Sequence, residues 1–159
     1  MNTRLRNPGF PSRRLATSLA LVVLAAAALS VSGGAAAHGG EIHRPASAEF
    51  GPGPRHSSAS AYVVTLMPRE PLRLRRLQSV EFSIADVDGR PVENASISID
   101  GGMPEHGHGL PTQPSIAPAS ASGVYRIEGL RFSMGGWWQL KLVIDSPAGQ
   151  DRVTFNLDL

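Results

Sequence analysis

Two of the chain's five histidines, His106 and His108, stand two residues apart in the stretch GGMPEHGHGLPT, residues 101–112. In an extended segment, side chains at i and i+2 leave the same face. Both imidazoles would then reach one ion, with Glu105 pointing the other way and Met103 swinging in across the Pro104 turn. Imidazole nitrogens with a thioether suit copper, the sulfur favouring the reduced ion. The alternative is a corner of backbone in which the glycines permit close packing and the histidines only hydrogen-bond.

Met134, in RFSMGGWWQL (131–140), becomes a second thioether if its turn lies beside the histidine loop. Otherwise the segment is a packing corner with a core tryptophan and a methionine filling a gap. Strand alternation there assigns Trp138 to the core and turns Trp137 outward. His38 is a third possibility, because a terminal histidine chelates copper through its amine and ring together. His43 and His56 lie in the same N-terminal region. DVDG (86–89) has the start of a calcium loop, but DVDGRPVENASI lacks the later glycine and the terminal glutamate, so a hairpin turn is expected. Asn94-Ala95-Ser96 fits a glycosylation sequon and reads more simply as the beginning of a strand. The chain has no G-x-S-x-G elbow, no phosphate-cradling glycine loop and no H-E-x-x-H helix, and no enzymatic activity is expected.

Export decides which ligands and charges remain. Arg4, Arg6, Arg13 and Arg14 precede an uncharged apolar run of 17 residues, Leu15 to Val31, and Ala35-Ala36-Ala37 offers a small-x-small cleavage site before His38. Residues 1–37 therefore read as a secretion signal and the protein as periplasmic or secreted. An uncleaved inner-membrane anchor is the alternative, and once the leader is removed no stable membrane span remains. Four of the 15 basic residues and none of the 13 acidic residues lie in 1–37, which leaves 11 and 13, a net of −2. That balance gives no basis for a nucleic-acid partner. The chain has no cysteine, which excludes disulfides, thiolate nucleophiles and thiolate metal sites.

The elements that must position these residues are strands. Residues 38–59 are rich in Gly, Pro, Ser and Ala and read as a flexible arm. Residues 60–159 suffice for one compact domain. Period-two alternation runs through 61–68, 79–89, 95–100, 123–132, 137–145 and 152–159. Val80, Phe82 and Ile84 take one face of the second segment, Trp138, Leu140, Leu142 and Ile144 that of the fifth, and Val153, Phe155 and Leu157 that of the last. Such alternation marks half-buried antiparallel strands, and DVDGRP and SPAGQD supply turns between them. About seven strands in this length predict an all-β, immunoglobulin-like antiparallel sandwich. Only REPLRLRRLQ (69–78) offers a helical turn.

The segments DVDGRPVENASISIDGGMPEHGHGLPTQP, GVYRIEGLRFSMGGWWQLKLVID and DRVTFNL together resemble the YtkA-like/FixH-like family of small bacterial exported or anchored domains, over about residues 60–159. The resemblance implies the same sandwich. In function it implies a link to copper-dependent cytochrome oxidase assembly, known for FixH-type members. Related motifs often carry methionine where this chain has Leu110, which removes one thioether. FixH-type chains keep a membrane anchor, whereas this leader reads as cleavable. The CopC-type copper proteins, exported sandwiches that use a terminal histidine, are a looser parallel. Two functions follow as expectations. The first is a copper carrier or assembly factor with ligands His106, His108, Met103 and Met134, serving a periplasmic or membrane redox protein. The second is a metal-free interaction module presenting Trp137 and the 101–112 loop to a partner.

Overall fold

The computed structural model describes residues 42–159. The segment expected to be a signal peptide, its expected cleavage site and His38 lie outside the described residues, as do residues 39–41. The described residues form one compact unit with a single core, as a segment that folds on its own does.

Two antiparallel sheets pack face to face. The strands are β1 (Arg55–His56), β2 (Tyr62–Met67), β3 (Gln78–Asp86), β4 (Ser96–Met103), β5 (His108–Gly109), β6 (Ser115–Pro118), β7 (Val124–Leu130), β8 (Trp137–Ser146) and β9 (Gly149–Asp158). One sheet has the order β1-β2-β3-β7-β6 and the other β5-β4-β8-β9. The six alternating segments are all strands, and the sandwich is as expected, with nine strands rather than about seven. The additional ones are the two-residue β1 and β5 and the proline-containing β6, all too short to alternate. Residues 68–77 hold no helix.

Alternation places the core. Val64 and Leu66 of β2, Phe82 and Ile84 of β3, Tyr125 and Ile127 of β7, Leu140 and Leu142 of β8, and Val153 and Phe155 of β9 are all buried between the sheets. The Tyr125 hydroxyl donates to the Val92 carbonyl at 2.9 Å and accepts from the Ala95 amide at 3.0 Å, fastening the β3–β4 connection to β7. The 86–91 turn is built by Asp86, whose carboxylate accepts from the Asp88 and Arg90 amides at 2.9 Å each, with Gly89 at φ 79°. It is the hairpin turn expected, and these hydrogen bonds, the Arg90 amide's first, hold the Asp86 carboxyl below its usual range.

The expectation of a flexible arm over 38–59 is corrected for the described part. Residues 50–58 lace the two sheets together along one edge. Phe50 bridges Asn156 of β9 in parallel, the Gly51 amide donates to the Asn156 carbonyl at 2.8 Å and the Ser58 amide to the Arg152 carbonyl at 2.8 Å, while β1 pairs with β2. Asp151 completes the seam by accepting from the amides of Ala59 and Ala61. Gly and Ser leave backbone amides and carbonyls, and Pro its carbonyl, free for an open strand edge, so low apolar periodicity here reflects edge pairing and not looseness.

Candidate functional site

β4 carries Ile97, Ile99, Gly101 and Met103 on its core side, opposite Ile144, Leu142 and Leu140 of β8. Met103 is therefore a core residue, 1% exposed. The chain then reverses through a 3-10 turn, Pro104–His106, with proline at its start and Gly107 at φ 65° at its end. Proline suits the first position and glycine the left-handed one. The reversal pairs Met103 with His108 and Gly102 with Gly109.

Residues 106–108 are thus not extended, and the geometry assumed from sequence is corrected. The turn nevertheless brings the two imidazoles together: the rings of His106 and His108 stack at 5.7 Å between centroids and 28° between planes, both on exposed residues. Directly paired residues share a face, with Cβ atoms about 5 Å apart. Met103 is therefore the partner of His108 across the β4–β5 ladder, its side chain buried in the core while the imidazole is exposed.

Gly102 is what allows β5 to lie there. A Cβ at that position would stand 2.1 Å from the His108 carbonyl oxygen and 2.9 Å from Gly109 Cα. At the same hairpin, Asp100, Gly102, Met103, His108, Gln139 and Lys141 are among the residues lining a hollow of about 220 Å³. Asp100 and Lys141 are a site feature that sequence reading missed, because it ended the strand at Asp100.

Met134 departs from the packing-corner expectation. Its side chain is 39% exposed, so it fills no gap in the core, and its carbonyl accepts the Trp138 indole N–H at 2.9 Å. It sits in the β7–β8 connection, two residues before Gly136, where an added Cβ would stand 3.0 Å from Met103 Cε. Met134 is therefore at the same end of the sandwich as the histidines. Among the described residues, no cluster of three or more His, Asp or Glu side chains is arranged to hold a metal.

Trp137 is corrected outright. It points away from the Trp138 side, but it is 2% exposed. Phe50 meets it edge-on at 6.4 Å, its indole N–H donates to Asn156 Oδ1 at 3.0 Å, and the Arg44 guanidinium lies 6.0 Å from its ring and 5.1 Å from that of Phe50. Arg44 also pairs with Asp158 at 3.0 Å and with Glu105 of the histidine turn at 3.4 Å. The N-terminal segment thus covers Trp137 and fastens the turn beside His106. No composition or alternation signal announces Arg44, and it was missed.

Residues 56–143 match the YtkA-like family. No curated protein matches the chain. Of solved structures, the ZirS C-terminal domain is similar at 12% identity, covering 100% of this chain and 97% of that one, with a TM-score of 0.37, too low to carry an argument. Among the described residues no helix is long and apolar enough to cross a membrane.

Proposed function

The chain belongs to the YtkA-like family, and on that premise we propose that it is an exported, periplasmic copper-binding domain, a carrier or assembly factor for a respiratory or redox protein. The reading is of a binder and not a catalyst. The observation that carries it is the stacked pair His106 and His108 at the sandwich end, with Met103 directly across the β4–β5 ladder from His108. Two imidazole nitrogens and a thioether form a donor set that fits copper, with the sulfur tilting preference toward copper(I). Copper is cargo here. Ligands on a two-residue edge strand and a one-turn loop suit a site that must release its ion as well as take it.

Met134 completes the set as a fourth donor if the β7–β8 connection moves toward the imidazoles. The 39% exposed side chain leaves it free to do so. Titration of residues 39–159 with copper(I) and copper(II) tests the reading, beside a His106→Ala/His108→Ala variant. One tight equivalent, absent from the variant, is the expected result. Equal binding by both forms removes the histidine site, and binding by neither removes the copper reading.

A further inference from the structure

The β2–β3 connection, residues 68–77, reads PREPLRLRRL and is used by nothing described so far. Leu77 is 69% exposed and Leu74 38%. They are held out by design of the loop and not by looseness. The Gln78 side chain accepts from the Arg73 amide at 3.1 Å and donates to the Arg73 carbonyl at 2.9 Å, the Arg75 amide donates to the Phe132 carbonyl at 2.6 Å, and Leu74 bridges Phe132. Leu72 anchors the loop on the core.

The same loop concentrates positive charge. It carries Arg69, Arg73, Arg75 and Arg76 against a single Glu70, within an exported part whose net charge is negative. Arg69 pairs with Glu81 at 3.2 Å and Arg73 with Glu70 at 3.4 Å. Among the described residues Arg75, Arg76 and nearby Arg131 make no ion pair. Beside the loop is a cleft of about 570 Å³, lined by Arg69, Arg73, Arg76 and Arg126 together with Glu70, Glu81 and Glu128, and by Leu77. Met134, also exposed, belongs to the adjoining 131–136 segment, where the Arg75 Nε donates to the Ser133 carbonyl at 3.5 Å.

We propose that this arginine–leucine loop is a docking surface for the anionic headgroup layer of a phospholipid bilayer. Guanidinium groups match phosphate oxygens in geometry and charge, and basic side chains are drawn to an anionic leaflet within a Debye length of it. Exposed leucines flanked by arginines enter the boundary between headgroups and acyl chains. A small soluble anion would engage the arginines and leave the leucines in water. A standard protein interface uses about 20–30 residues a side, far more than one loop presents. The loop lies at the start of β3, the end of β7 and the start of β8, which is also where β4 delivers the histidine turn. Docking would hold that end of the sandwich at the membrane. The inference rests on the arginines and leucines alone and stands or falls apart from copper.

Co-sedimentation of residues 39–159 with phosphatidylglycerol–phosphatidylcholine vesicles, and with pure phosphatidylcholine vesicles, is the test. Binding to the anionic vesicles alone, weakened by salt, is expected. Arg75→Glu/Arg76→Glu should weaken it by about tenfold or more, given four units of charge change next to the leaflet. Leu77→Asp should weaken it as well. These side chains are exposed, so both variants should keep the wild-type melting temperature, which confirms that they fold. Three results would overturn the proposal: no binding to anionic vesicles, equal binding to neutral ones, or a Leu77→Asp variant that binds like wild type. In that last case, glycerol phosphate shifting the amide signals of residues 73–77 as vesicles do would make the loop a soluble-anion site.

Discussion

Replacing Gly102 with alanine should dislodge the histidine pair without touching a histidine. The position is not in the left-handed region, so the requirement for glycine is steric. The new Cβ would stand 2.1 Å from the His108 carbonyl oxygen, and backbone on both sides leaves no flexible end to yield. β5 would have to retreat by about 1 Å, which stretches a hydrogen bond of about 2.9 Å beyond bonding range. The bonds at stake are those of the short β4–β5 ladder and the Leu110 amide to the Gly101 carbonyl, 3.0 Å. Two or three such bonds, at about 1 kcal/mol each, give a loss of about 2–3 kcal/mol. The stiffer unfolded chain returns about 0.4–1 kcal/mol, leaving a net destabilisation of about 2 kcal/mol. For a unit of this size that lowers the melting temperature by about 8 °C. Gly107→Ala is the control. It meets no atom within 4 Å but has φ 65°, so its penalty is the left-handed one of about 1–2 kcal/mol with the ladder intact. Calorimetry measures the first quantity, and cross-strand NOEs between Met103 and His108 measure the second. A Gly102→Ala variant with wild-type melting temperature and intact NOEs would refute the steric reasoning.

Tyr125→Phe deletes the partner of the Val92 carbonyl and the Ala95 amide together, and leaving buried polar groups unpaired should lower stability by about 2 kcal/mol in urea unfolding, with an unchanged m-value. Asp151 sets an acid limit. The Ser57 hydroxyl, then the amides of Arg152, Ala59 and Ala61, hold its carboxyl down at about 2 against an ordinary 3.8. A depressed carboxylate pKa stabilises the fold above its unfolded value and ceases to do so as pH falls through the folded one. Wild-type melting temperature should therefore decline between about pH 4 and pH 2 more steeply than that of Asp151→Asn, and parallel curves would contradict the assignment. Arg44→Ala should uncover Trp137 and release Glu105, giving a red-shifted tryptophan emission and a small change in stability, because half-exposed ion pairs contribute about 0–1 kcal/mol.

The six alternating strands were legible because each presents one face to the core and one to water, so period two survives in the residues themselves. β5 and β6 were not, since two residues cannot alternate and four residues ending in proline show too little of a period, although Ile116 packs on the core. The histidine pair was legible as residue types and spacing, but for the wrong reason: proximity comes from a 3-10 turn closed by Gly107, not from an extended segment. Met103 was readable in principle, being in phase with Ile97 and Ile99, and the intervening glycines hid that the strand continues. Trp137 was misplaced because alternation predicts which way a side chain points and says nothing of what lies over it. Here the cover comes from Arg44 and Phe50, in a segment whose composition suggested no structure. Edge pairing uses backbone groups, which every sequence has, and so leaves little trace in side chains.

His106 and His108 are proposed to hold copper at the end of the sandwich, and one experiment bears on this most directly. It is a competitive copper(I) titration of residues 39–159, wild type beside His106→Ala/His108→Ala, with circular dichroism to confirm that both are folded. One tight equivalent in the wild type and none in the variant is the expected result. A folded variant that binds copper as tightly as the wild type would contradict it.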